Sequence, residues 1–161
     1  MSLRDEASFL AFYDATVVDA YRYASRLVGN DRSRTEDLVH DVYVGLLSKV
    51  KSGPMHDIGL GWVLVAIRHR FLDCLRRDQR EERRLRLVWS SDDAQIDESA
   101  VDGLLGAAGL SDRERAALTL RYIDDLSVPQ VAREMGTSVH AVESLLARAR
   151  TRVRRSEVRH A

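Results

Sequence analysis

The chain has a single cysteine, no net charge, no long apolar run and no sustained alternation of apolar and polar residues, and each lack removes a class of protein. Cys74 has no second cysteine to pair with, so an internal disulfide is excluded. Neither Cys74 nor the five scattered histidines fall at metal-ligand spacing, and no nucleophile–base constellation is visible, so we expect no cofactor, no metal and no enzymatic chemistry. No segment is apolar for long enough to span a bilayer. The N-terminus, where Arg4, Asp5 and Glu6 precede an amphipathic segment, has no signal-peptide pattern. A cytoplasmic protein without membrane insertion is expected. Strand signals and Asn-Gly turns are missing, as are internal repeats and low-complexity tracts, which leaves an all-α fold.

What is present is 45% hydrophobic and 31% charged residues in a chain of 161, enough for one modest domain or two small ones. The 25 basic and 25 acidic residues cancel in number but not in position. Arg68, Arg70, Arg76, Arg77, Arg80, Arg83, Arg84 and Arg86 crowd one stretch, Asp92, Asp93, Asp97, Glu98 and Asp102 follow, and a basic tail closes the chain. The acidic stretch Ser90–Ala100 is polar and weakly periodic, which reads as a linker between two helical domains.

Before that linker the spacing predicts three helices. The first runs from about Ser8 to Val28, with Phe9, Phe12, Tyr13, Val17, Ala20, Tyr21, Ala24 and Leu27 on one side, and ends at Gly29-Asn30. The second opens at Ser33, where Ser33-Arg-Thr-Glu36 reads as a capping box, and stops at Gly53-Pro54. The third starts near Gly61-Trp62 and packs Val63, Ile67, Phe71 and Leu75, leaving a cationic face of Arg68, His69, Arg70, Arg76 and Arg77. Trp62 reads as a core anchor and Cys74 as a small buried hydrophobe. After the linker, Val101 to Ala108 suits a short helix, and Ser111-Asp-Arg-Glu114 is a capping box opening another.

The most informative segment follows. Ser127 caps a helix with Val128, Val131, Ala132 and Met135 on its apolar side, and Gly136 ends it where left-handed backbone is needed. After a tight turn Ser138 caps a second helix. Val139, Val142, Leu145, Leu146 and Ala149 form its apolar face, and His140, Glu143, Ser144, Ala147 and Arg148 point outward. This is a helix-turn-helix pattern, whose outward residues would face a major groove. Arg148, Arg150, Arg152, Arg154, Arg155 and Arg159 can pair with phosphates. Glu143 either accepts from a cytosine amino group or joins a helix salt bridge.

With these segments in place the chain resembles the extracytoplasmic-function (ECF) sigma factors of the sigma-70 family. Arg34-Thr-Glu-Asp-Leu-Val-His-Asp-Val-Tyr43 is similar to the family's acidic motif D-A-E-D-L-V-Q-E-T-F, and Trp62 to Arg77 is similar to its W-L-Y-R-I-A-R-N-R-A-I-D-L-L-R-R helix. Leu110 to Tyr122 and the helix-turn-helix resemble its −35-reading domain. The resemblance implies a σ2 domain over residues 1–88, a linker over 89–103 and a σ4 domain over 104–161.

It also implies partners: core RNA polymerase, promoter DNA, and an anti-sigma factor or other protein regulator. Glu36, Asp37, Leu38, Asp41 and Val42 would form the core-polymerase docking site. Arg68, His69, Arg70, Arg76 and Arg77 would contact the −10 region, and His140, Glu143, Ser144, Ala147 and Arg148 the −35 element. This sequence departs from the family where Glu143 and Leu145 replace basic residues, His69 replaces Asn and Val65 replaces Arg. Two rival functions stand beside this one: a sigma-like decoy that binds an anti-sigma factor, and a stand-alone helix-turn-helix regulator of palindromic DNA.

Overall fold

The computed structural model of the chain describes residues 1–86 and 109–160, with side chains placed over 1–81 and 109–156. The predicted acidic linker and the short helix predicted over Val101 to Ala108 lie outside the described residues. The fold is all-α, as the sequence led us to expect. Among the described residues the one β contact is a single antiparallel pair, Leu3 with Met55. The chain divides into two compact units, Met1–Phe71 and Leu72–Ala161.

The first unit contains α1 (Glu6–Val28), α2 (Arg32–Ser52) and the first half of α3 (Leu60–Arg86). Helix α1 starts earlier than its apolar spacing suggested, because Asp5 is the cap. Its carboxylate accepts from Ser8 N–H at 2.9 Å, and Ser8 Oγ accepts from Asp5 N–H at 3.1 Å. That backbone donor is the main reason the Asp5 carboxyl lies below its ordinary pKa. Gly29 closes the helix at φ 76°, the left-handed cap for which glycine is suited.

Helix α2 also begins earlier than expected. Asp31, not Ser33, is its cap, accepting from Arg34 N–H at 3.0 Å, while Glu36 is drawn to Arg32 at 2.8 Å instead of back to a capping box. An aspartate two residues upstream offered the orphan N–H groups an equally good acceptor.

Helices α1 and α2 pack on one another, and Phe9, Phe12, Leu27, Leu46, Val63, Ile67 and Phe71 are buried between the elements of this unit. Thr16 is also buried. Its hydroxyl donates to the Phe12 carbonyl at 2.7 Å, which leaves the Tyr43 hydroxyl to donate to it at 2.8 Å. Trp62 is half-buried, not a full core anchor, with Lys49 Nζ 5.3 Å from its ring centre. Leu75 is buried as expected, but Cys74 is only half-buried.

The second unit contains the rest of α3, then α4 (Asp112–Leu118), a π-helical turn (Thr119–Ile123), α5 (Val128–Met135) and α6 (Val139–His160). The Ser111–Glu114 capping box forms as expected. Leu118, Leu120, Val131, Met135, Val142, Leu145 and Leu146 are buried, and both α4 and α5 pack on α6. Among the described residues no helix is long and apolar enough to cross a membrane.

Candidate nucleic-acid interface

The helix-turn-helix forms by the caps that its sequence encodes. Ser127 Oγ accepts from Gln130 N–H at 3.4 Å, and Gln130 Oε1 accepts from Ser127 N–H at 2.8 Å, so the first cap is a full box. Gly136 ends α5 at φ 62°, and Ser138 Oγ accepts from Ala141 N–H at 3.1 Å at the start of α6. With the turn fixed at both ends, Val142, Leu145, Leu146 and Ala149 face the core, whereas Val139, expected on the same apolar face, is exposed in the first turn of α6. The opposite side exposes His140, Glu143, Ala147 and Arg148, with Ser144 half-exposed. All five predicted groove residues therefore share one outward face. Glu143 makes no ion pair among the described residues, so the helix salt bridge left open by its sequence does not form.

Leu145 is 5% exposed, so its departure from a basic residue removes nothing from the groove-facing side. The basic tail is divided by the fold. Arg148, Arg150, Arg154 and Arg155 are exposed, but Arg152 Nη1 donates to the Gly109 carbonyl at 2.7 Å and lies 3.5 Å from the buried Glu114 carboxylate. Arg152 thus ties α6 to the start of α4, a role that α6 periodicity gave no means of seeing.

On α2, Glu36, Asp37 and Asp41 are exposed on one face, whereas Leu38 and Val42 are 7% and 8% exposed. The five residues expected at one docking surface thus separate into three that a partner can touch and two that anchor the helix in the core. A hydrogen bond from Arg32 to Glu36 raises the Arg32 pKa above its ordinary value.

The predicted −10 set is likewise divided. Arg68, half-buried, and His69 and Arg70, both exposed, belong to the first unit. Arg70 Nη2 donates to Asp41 Oδ2 at 2.7 Å and its Nε to the same oxygen at 3.2 Å, joining the two predicted sites across 29 residues of sequence. Arg76 and Arg77 belong to the second unit. Arg77 is exposed, whereas Arg76 is half-buried and donates to Asp73 at 2.8 Å and to the Glu134 carbonyl near the end of α5.

Residues 107–153, which contain this helix-turn-helix, match the family model described as Sigma-70, region 4. The chain is 30% identical over 152 residues to the ECF RNA polymerase sigma factor SigK of Mycolicibacterium vanbaalenii, a likeness covering 88% of this chain and 77% of that protein. The chain belongs to the ECF sigma factors. Its likeness to the ECF sigma factor SigX of Bacillus subtilis is 25% over 153 residues, covering 86% of this chain and 78% of SigX. A solved structure of the sigma factor RpoE of Bartonella quintana, in complex with the anti-sigma factor NepR, has the same fold. Its TM-score is 0.52 at 22% identity, covering 92% of this chain and 95% of that one. As an ECF sigma factor the chain falls in a family of transcription initiation factors that carry a DNA-binding helix-turn-helix in region 4.

Proposed function

We propose that this ECF sigma factor binds core RNA polymerase and directs initiation at promoters read through a −10 and a −35 element. The observation that carries the reading is the exposed face of α6: a capped, region-4 helix-turn-helix presenting His140, Glu143, Ser144, Ala147 and Arg148 together. An α-helix fits a major groove, and side chains one and two turns from its N-terminus reach base edges. Arg148 can bind a guanine edge bidentately and Glu143 can accept from a cytosine amino group. Arg150, Arg154 and Arg155 then supply phosphate contacts that fix register.

In this reading residues 1–88 act as σ2, 89–103 as a tether and 104–161 as σ4. Glu36, Asp37 and Asp41 meet a cationic surface on the polymerase, where complementary charge speeds docking and fixes register. Arg68, His69, Arg70, Arg76 and Arg77 serve the opened −10 strand, which offers phosphates to arginine and unstacked bases to a pocket. No covalent step is involved, and the protein works in the cytoplasm. An anti-sigma factor or other protein regulator is a further partner, a reading in keeping with the RpoE structure of the same fold, which holds the anti-sigma factor NepR.

Charge reversal tests the docking face. Asp37→Arg with Asp41→Arg alters exposed positions, so the circular dichroism spectrum stays that of wild type while capture of core polymerase falls. Capture at unchanged strength by the normally folded variant overturns the docking assignment.

A further inference from the structure

The ion pair between α2 and α3 joins a carboxylate assigned to polymerase docking with an arginine assigned to the −10 strand. Resting on those two assignments, we propose that Asp41 is a positioning residue for Arg70: it occupies the guanidinium edge that would grip a phosphate, and releases it when a cationic partner takes the carboxylate.

The geometry supports this in three ways. Both contacts converge on one oxygen, Asp41 Oδ2, from Arg70 Nε and Nη2, which together form one of the edges arginine uses for bidentate phosphate binding. An incoming phosphate therefore meets a carboxylate on that edge, and the pair presents little net charge to it. The pair is also open to solvent, with 44% of the Arg70 side chain and 48% of the Asp41 side chain exposed. Exposed pairs contribute little to stability, so a competing cation can displace Arg70 at small cost. Finally, the pair spans two helices instead of neighbouring turns of one. Occupation of the α2 face by a partner is thereby communicated to α3 without any change in backbone. Docking and strand capture share a single carboxylate, and so each favours the other.

The test uses the full chain and a mixed-sequence single-stranded DNA of about 12 nucleotides, titrated by fluorescence anisotropy across a salt series. Asp41→Asn removes the negative charge and keeps the shape. It is expected to bind three- to five-fold more tightly at about 0.15 M salt, with a salt slope steeper by about 0.7, the value of one additional phosphate contact on a single strand. In an Arg70→Ala background the same substitution is expected to change neither affinity nor slope. A merely structural role for Asp41 would alter the melting temperature and leave the slope unmoved.

Arg77→Ala, outside the pair, separates the two levels of the account. If it weakens binding while Asp41→Asn leaves affinity and slope unchanged, or if the Asp41→Asn gain survives in Arg70→Ala, the positioning role is overturned and the −10 assignment stands. If wild type, Asp41→Asn and Arg77→Ala all fail to bind even at low salt, the assignment of α3 to nucleic acid falls, and the proposal with it.

Discussion

The carboxylate of Glu114, on a side chain only 4% exposed, lies 3.5 Å from the Arg152 guanidinium contributed by α6. The same carboxylate accepts from the Ser111 backbone N–H at 2.9 Å and from Ser111 Oγ at 3.2 Å, so one buried anion caps α4 and fastens it to α6. Truncating it removes the cap and leaves the Arg152 side of the contact unanswered. Glu114→Ala is expected to lower stability by about 2 kcal/mol, and Arg152→Ala, whose side chain is half-exposed, by less than about 1 kcal/mol. Urea denaturation measures both. Since Arg152 is committed internally, its loss should flatten the salt dependence of duplex binding less than loss of Arg150 does.

The buried Thr16–Tyr43 hydrogen bond gives a second expectation. Thr16→Val keeps the shape but strands the Tyr43 hydroxyl, at an expected cost of about 1–3 kcal/mol, much of which Tyr43→Phe in the same chain should restore. A double-mutant cycle by denaturation checks it.

Alkaline pH bears on the same residue. Burial raises the Tyr43 phenol above its ordinary pKa of 10.0, against a smaller lowering by the Thr16 hydrogen bond. With the folded pKa above the unfolded one, the stabilising contribution is complete below pH 10.0 and is lost as pH rises through the folded value. Wild type should therefore lose stability on that alkaline limb faster than Tyr43→Phe, in melts followed by circular dichroism.

The groove-facing carboxylate yields a prediction about specificity. Glu143→Ala should relax base preference at one position of the −35 element, by about 1–3 kcal/mol of discrimination, while overall affinity holds or rises because a negative charge is removed. Arg148→Ala should lose affinity as well as preference. Selection from a randomised −35 library, repeated with each variant, distinguishes the two.

Much of this was legible in the sequence because it is local. Ser127, Gly136 and Ser138 mark the helix-turn-helix by their own backbone chemistry, and α6 periodicity alone separates Val142, Leu146 and Ala149 from His140, Glu143 and Arg148. Cap identity was less legible where two acceptors compete: Ser8 and Ser33 both read as starts, yet Asp5 and Asp31 hold the orphan N–H groups. The π-helical turn at Thr119–Ile123 carries no sequence signature. Long-range pairings were out of reach in principle. Nothing in the spacing of Asp41 and Arg70, or of Gly109 and Arg152, tells that tertiary packing brings them together.

Initiation itself is the most direct test of the central claim. Core polymerase reconstituted with the full chain should give run-off transcripts from a subset of a promoter library. Scrambling the −35 element of those promoters should abolish them, and Arg148→Ala should reduce them about tenfold or more. Tight binding to an anti-sigma factor with no initiation from any promoter would contradict the account and establish the chain as a decoy.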